Sequence, residues 1–533
     1  MNAFVGTASL IRLAMRRDRV MLPIWLVALA LVPASSAPAT VGLYPTEAGR
    51  VQASETFNHA QALVAIYGKI YDPTSVGALA MVKLGGLGAI FVALLSILLV
   101  VRHTRAEEET GRQELVGATV VGRRAPLTAA LLVAAGTNLA LGVFTALGLV
   151  ASGLPVDGSF AFGLAWAGVG LAFAAIAAVT AQLTSTARAA TGSAVAILGA
   201  VYVLRAVGDT ADRSGPWWLT WLSPIGWGQQ FRPYAGNRWW VLLITVGFAV
   251  VVVAGAYALV ARRDLGAGLL PDRPGPAVGA TSLGSPLALA WRLHRGSLFG
   301  WAAGFALAGL AFGNIATSVG GFLASPQARQ IFERLGGQKA LTDAYLAVVL
   351  GIVGIMASAY GVQAAMRMRT EETALRLEPL LATKTSRVSW IVSHTLVALL
   401  GTALLMVVAG AAAGLAYGAR AGGLREAGRV LGAALVQIPA AWVLTGIVVA
   451  AFGIVPRLVA VGWAALAGFV VLGEVGPLLK LDQWVLDLSP YAHTPRLPGG
   501  TLELTPLVLL TLVTLLLAAV GFVGFRRRDI PIT

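Results

Sequence analysis

The chain contains no cysteine. Disulfides, thiolate metal sites and cysteine nucleophiles are thereby excluded, while the compartment is left open. Charge is scarce as well: 12% of the residues are Asp, Glu, Lys or Arg, against about a quarter in a soluble globular chain. The five histidines (His59, His103, His294, His394 and His493) lie far apart and show no metal-binding spacing such as HExxH. The phosphate-cradling sequence GxxxxGK[ST] is missing too. Gly68-Lys69 and Gly337-Gln338-Lys339 lack the rest of that loop. No catalytic residue, metal or cofactor is therefore expected in this chain.

What is abundant is apolar sequence. Of the 533 residues 57% are hydrophobic, and the mean hydropathy is +0.79. A soluble core cannot absorb that excess, so lipid is the expected solvent for much of the chain. The net charge of +15 is then read as the positive-inside bias of a membrane protein rather than as nucleic-acid binding. Twelve apolar runs are expected to span: 20–42, 78–101, 127–150, 161–183, 189–207, 238–261, 298–319, 343–366, 389–417, 428–452, 458–474 and 504–525. Most reach the ~20 residues a helix needs to cross the hydrocarbon. The two shortest, 189–207 and 458–474, are candidates for tilted, broken or re-entrant helices.

The first run resembles a cleaved signal peptide. Arg12, Arg16, Arg17 and Arg19 precede it, and the apolar stretch ends in Ser35-Ser36-Ala37-Pro38-Ala39. The same segment recurs mid-chain, however, where no signal peptide can lie. Leu13-Ala14-Met15-Arg16-Arg17-Asp18-Arg19 matches Leu289-Ala290-Trp291-Arg292-Leu293-His294-Arg295 at an offset of 276. Three further matches follow in the same order. Arg105–Arg123 aligns without gaps on Arg369–Arg387, Leu222-Ser223-Pro224 on Leu488-Ser489-Pro490, and Arg262-Arg263-Asp264 on Arg527-Arg528-Asp529, at offsets of 264, 266 and 265. Four anchors in register mark an internal duplication. The expected fold is therefore an all-α polytopic membrane protein of about twelve transmembrane helices. It comprises two tandem six-helix repeats, residues 1–264 and 286–533, joined by a linker at 265–285.

With the N-terminus inside, 24 of the 39 Lys and Arg residues fall on the cytoplasmic side, while Asp and Glu divide nearly evenly. Both termini are thus expected in the cytoplasm. An even number of spans per repeat gives both the same orientation, related by a pseudo-two-fold axis along the membrane normal. Gly410/Gly414/Gly418, Gly300/Gly304 and Gly309/Gly313 are spaced for close helix packing. Trp217, Trp218, Trp221, Trp227 and Trp484 are read as interfacial anchors in outer loops. Asn138, Asn314 and Gln437, polar residues within spans, are read as helix–helix hydrogen-bonding groups.

The segment after the second span of each repeat carries the most information. Glu108/Arg112 and Glu372/Arg376 are spaced i,i+4, the favoured Glu-first orientation on a helix. Thr110 with Gln113 offers an alternative start as a capping box. Either way a short amphipathic surface helix is expected, with Leu115, Leu380 and Leu381 available for its apolar face. A docking surface and a merely solvated loop are the competing readings. Arg205 and Glu474, at the outer ends of the two short spans, form a possible outer gate. The alternative is that each snorkels separately to water.

The pattern Arg-x-Glu-Glu, then Arg-x-Glu, then Ala-Thr and a closing Arg resembles ABC-2-type transporter permeases. Over its whole length the chain is similar to the double-length members of the tetronasin-resistance type, exporters of polyketide antibiotics in actinobacteria. The stretches Arg262–Pro271, Ser285–Arg292 and Asp343–Ala347 support this. The resemblance implies a permease subunit that exports amphipathic or hydrophobic compounds across the bacterial inner membrane. It implies coupling to a separate ATPase, in two copies, which binds the ATP and Mg. It assigns the coupling helices to Glu107, Glu108, Arg112, Glu114 and Thr119, and to Glu371, Glu372, Arg376, Glu378 and Thr383. Pro379 stands where the first half has Leu115, so the second helix is expected to start late or kink. The competing function is an ion-driven secondary transporter, which would require intramembrane carboxylates. Of these Glu474 is the main candidate.

Overall fold

The computed structural model describes residues 3–211, 216–264, 266–270, 278–318, 337–474 and 482–530. Among the described residues there are helices and turns and no strands. Among the described residues eleven helices are long and apolar enough to cross a membrane. They coincide with eleven of the twelve expected spans, including the doubtful 189–207, which is a helix of 24 residues. The twelfth, 458–474, is a 14-residue helix, Val461–Glu474. The residues that follow it, 475–481, lie outside the described ones. The chain divides into two compact units, Met1–Gly275 and Pro276–Thr533.

The first unit contains α1 (Thr7–Arg17), α2 (Met21–Leu43), α3 (Glu47–His59), α4 (Gln61–Tyr67), α5 (Val76–Lys83), α6 (Ala89–His103), α7 (Arg105–Glu109) and α8 (Arg112–Gly117). These are followed by α9 (Ala125–Ala151), α10 (Val156–Leu183), α11 (Ala187–Thr210), α12 (Pro224–Gln230) and α13 (Val241–Val260). A π turn at Leu84–Gly88 joins α5 to α6, and the Trp166 indole N–H donates to the Leu84 carbonyl at 3.2 Å. Helix α10 is the axis of this unit and packs on α6, α9, α11 and α13. Its sequence, rich in Ala and Gly, lets neighbours approach closely. Asn138 of α9 donates to the Ser96 hydroxyl of α6 at 2.9 Å and to the Ala134 carbonyl at 2.8 Å, so it does join two spans by hydrogen bonds.

The second unit contains α14 (Pro286–Ser318), α15 (Gly337–Thr373), α16 (Leu377–Leu381), α17 (Arg387–Ala421) and α18 (Leu424–Leu435). Then come α19 (Ile438–Ile454), α20 (Val461–Glu474), α21 (Gln483–Leu486) and α22 (Leu504–Arg527). Its axis is α19, which packs on α15, α17, α20 and α22. Where α10 is continuous, the second unit breaks between α18 and α19, ahead of Pro439. Gly410, Gly414 and Gly418 of α17 lie directly against Ala434, Ala427 and Gly423, and Gly309 and Gly313 of α14 lie against Ala409 and Ala413 of α17. Gly300 and Gly304 face open space, so that pair does not serve helix contact within the unit. Asn314 donates only to the Leu310 carbonyl of its own helix, 3.0 Å away. Trp217, Trp218 and Trp484 are exposed, as anchors should be, whereas Trp227 is core.

Candidate functional site

The duplicated charged segment forms at the end of the second span of each unit. In the first unit α7 stops at Glu109. Gly111 adopts φ 72°, and α8 starts at Arg112. In the second, α15 runs to Thr373, Leu375 adopts φ 54°, and α16 starts at Leu377. Gly111 and Leu375 are equivalent by the offset of 264. Both donate their N–H to the carbonyl three residues back (Glu108 and Glu372), at 3.0 Å in each case. In the second unit Arg376 N–H also donates to the Glu371 carbonyl at 3.0 Å, completing a Schellman C-cap. The helix therefore ends and turns at the same place in both halves. The second surface helix starts one position later than the first, with Pro379 in its first turn.

This break corrects the expected i,i+4 pairs. Arg112 lies 3.6 Å from Glu107, and Arg376 lies 3.1 Å from Glu371. Glu108 and Glu372 are buried instead, 9% and 3% exposed. The Thr110 capping box does not form either. Its hydroxyl donates back to the carbonyls of Ala106 (3.0 Å) and Glu107 (3.2 Å).

Glu108 and Glu372 are the centres of two matching clamps. In the first unit Glu108 accepts from Arg105 at 2.5 Å and from both terminal nitrogens of Arg263, Nη1 at 2.7 Å. Arg263 Nε donates to the Gln182 side chain at 2.6 Å, and Arg105 donates to the carbonyls of Thr184 and Ala267. Arg123 Nη2 donates to the Arg263 carbonyl at 2.6 Å. The clamp thus joins α7, the end of α10, the segment after α13 and the start of α9. In the second unit Glu372 pairs with Arg369 at 3.3 Å and Arg528 at 2.6 Å. Arg387 Nη1 donates to the Arg528 carbonyl at 2.7 Å. The Arg528 guanidinium also lies over the rings of Phe452 and Phe525, 5.0 and 5.1 Å from their centroids. Four of the residues singled out by the duplication, Arg105/Arg369 and Arg123/Arg387, are thus clamp members. So are Arg263 and Arg528 of the repeated Arg-Arg-Asp, for which the sequence suggested no partner.

A second pair of contacts surrounds each clamp. Glu107 binds Arg17 of α1 as well as Arg112. Glu371 is 3% exposed and binds Arg367 at 3.2 Å as well as Arg376. Asp18, fully buried, meets Arg102 at 2.9 Å and His103 at 2.6 Å. Its counterpart His294 meets His394 at 3.1 Å, a proximity that one hundred intervening residues conceal in the sequence.

The rest of each surface helix faces outward. Arg112, Glu114, Thr119, Arg376, Glu378 and Thr383 are exposed. Leu115 is 75% exposed, whereas Leu380 and Leu381 pack partly against the core of the second unit. The predicted coupling residues therefore separate into a buried set that ties helices together and an exposed set that presents a surface.

Arg205 lies outside this arrangement. It is fully buried in the first unit, where it pairs with Asp209 at 3.3 Å, donates to the carbonyls of Ala65 and Ile66, and packs over the Tyr202 ring. Within this unit its partner is Asp209, and it does not snorkel; the expected approach to Glu474 falls on a side chain that is not among the described residues.

Among the described residues, eleven helices long and apolar enough to cross a membrane, with a duplicated charged turn at the end of the second span of each unit, define a polytopic membrane protein. The family model of the multidrug efflux system permease Rv1217c, C-terminal domain, matches residues 8–260 and 283–526. The multidrug efflux system permease protein Rv1217c of Mycobacterium tuberculosis (strain ATCC 25618 / H37Rv) is 43% identical over 532 residues, 99% of this chain and 96% of that protein. The chain belongs to this family of multidrug efflux permeases.

Proposed function

We propose that this chain is the membrane-spanning subunit of an ATP-driven exporter, coupled to a separate ABC-type ATPase, with one ATPase copy at each unit. Both termini and both clamps would lie in the cytoplasm, as the Lys and Arg distribution favours. One observation carries the reading. In each unit a buried Arg–Glu–Arg clamp fastens the outward-facing turn after the second span to the end of the last span. A push on Arg112, Glu114 or Thr119, or on Arg376, Glu378 or Thr383, is then passed to the helix bundle instead of being lost in a flexible loop. ATP binding would close the ATPase pair, move these helices and switch the bundle between inward and outward access.

The cargo is expected to be amphipathic or hydrophobic. The resemblance to polyketide-antibiotic exporters of the tetronasin-resistance type points to bulky compounds of that kind. Ion-driven transport is disfavoured by the pairing of carboxylates. Asp18, Asp209 and Asp343 each contact an arginine, Arg429 in the last case at 2.7 Å, so none of the three is free to bind and release a coupling ion.

Because the chain has no cysteine, single cysteines report on one place only. Glu114→Cys and Glu378→Cys should react with a polar maleimide in the isolated chain and become at least tenfold slower when a co-purified ATPase is bound. Trp484→Cys, exposed on the short helix α21 and outside both surface helices, should be indifferent. Equal labelling at Glu114→Cys with and without the ATPase would refute docking at the first helix.

A further inference from the structure

Helix α11 begins beside the first clamp and ends at Thr210, so the segments packed around its C-terminus form the opposite end of the first unit. An open pocket of about 710 Å³ lies there, lined among others by Lys69, Asp209, Trp217, Trp221, Arg232 and Arg238. Among the described residues that line it, basic side chains outnumber carboxylates: the one carboxylate, Asp209, is already engaged by Arg205 and by the Thr220 hydroxyl at 2.8 Å. Among the described residues none of Lys69, Arg232 and Arg238 pairs with a carboxylate. Arg232 stacks on the Tyr71 ring at 4.1 Å, and its Nε is buried without a hydrogen-bond partner. Burial lowers the Arg232 pKa from its ordinary value; nearby Tyr71 opposes this and the Arg238 charge adds to it. Arg232 is half-buried, and a cation partly withdrawn from water with no carboxylate beside it favours an anion that supplies the missing charge.

The backbone shows a second sign of specialisation. Three non-glycine residues of one short loop, Arg232, Tyr234 and Asn237, have φ of 53°, 61° and 28°. The loop is held by its own bonds. Tyr234 N–H donates to Asn237 Oδ1 at 2.9 Å, Asn237 Nδ2 donates to Asp157 at 2.6 Å, and Arg238 N–H donates to the Phe231 carbonyl at 2.7 Å. Strained backbone persists where surrounding structure enforces it, and it concentrates at binding sites. Here it sets both arginines at the pocket. Two tryptophans line the pocket: Trp217 is exposed, and Trp221 stacks on the exposed Trp240 with centroids 5.6 Å apart. Exposed tryptophans of this density mark headgroup depth.

We propose that this pocket binds an anionic amphiphile, with its phosphate or carboxylate head held by Lys69, Arg232 and Arg238 and its apolar tail along the tryptophan rim. The site rests on the membrane reading alone and needs no ATPase, so it is tested on the purified full chain in maltoside micelles. Tryptophan fluorescence titrated with dodecyl phosphate should change saturably, at least tenfold tighter than with inorganic phosphate. Arg232→Gln/Arg238→Gln should weaken dodecyl phosphate binding at least tenfold, exposed Lys69→Gln about threefold, and Arg238→Lys should retain binding. Native mass spectrometry separates the sources. An anionic phospholipid retained by the wild type and lost from the double variant assigns the site to the bilayer. A chain purified free of lipid that then takes up dodecyl phosphate assigns it to a free amphiphile. Inorganic phosphate binding as tightly, no saturable response, or unchanged binding in the double variant would overturn the proposal. Should the double variant not fold, unchanged binding in both Lys69→Gln and Arg238→Gln would do the same.

Discussion

The two clamps agree at their centres and differ at their edges. Arg105–Glu108–Arg263 and Arg369–Glu372–Arg528 are the same arrangement in two sequences, each braced by an arginine (Arg123, Arg387) on the carbonyl of the third member. Around them the partners have been exchanged. In the first unit Glu107 takes its second arginine from α1, as Arg17. In the second the equivalent of Arg17 is Leu293, and Glu371 takes Arg367, which stands where the first unit has His103. The arginine has moved from one helix to another while the carboxylate it serves has stayed. At the centre an unpaired buried ion costs several kcal/mol, whereas the Arg17–Glu107 pair of the first unit is half-exposed, is worth under about 1 kcal/mol and can be re-dealt.

Removing a clamp cation is the severest test of equivalence. Arg263→Ala and Arg528→Ala each leave a buried carboxylate short of a partner, and each should lose about 3–5 kcal/mol in thermal unfolding of the detergent-solubilised chain. A cost confined to one of the two would show that the clamps are alike in geometry but not in energy. The exchanged arginine gives a milder test. Arg17→Leu should cost about 1 kcal/mol, and adding His103→Arg should recover most of it, by recreating the arrangement of the second unit. Additive losses in that double-mutant cycle would deny the exchange. Next comes the left-handed residue at the turn. Leu375→Gly should stabilise by up to about 1 kcal/mol and Gly111→Leu should destabilise by about 1–2 kcal/mol, since a side chain is penalised at positive φ. The exposed arginines should matter least to folding: Arg112→Ala and Arg376→Ala should shift stability by under about 1 kcal/mol.

Much of this was legible in the sequence because membrane helices announce themselves by length and hydropathy, and because duplication supplies its own alignment. Spans such as 127–150 and 504–525 fall inside the observed helices Ala125–Ala151 and Leu504–Arg527. The positions of Glu107, Glu108 and their repeats were found as well, but not their partners. Helical spacing put Glu108 beside Arg112. The turn at Gly111 and Leu375 moves Arg112 and Arg376 to the preceding glutamate, and a leucine gives no warning of a left-handed backbone. Arg263 and Arg528 were visible as a repeat, yet their contact with Glu108 and Glu372 spans more than 150 residues. Arg205 has a partner that the sequence reading passed over. Asp209 lies four residues on, at helical spacing, and was the nearer partner all along.

The exposed set is where the account of coupling stands or falls. Substrate-stimulated ATPase activity of the assembled complex should be compared between the wild type and Glu114→Arg/Glu378→Arg. Both side chains are exposed and lie outside the clamps and the ion pairs beside them, so the variant should unfold at the wild-type temperature while stimulation falls at least tenfold. A variant that folds normally and keeps full stimulation would contradict coupling through these two turns.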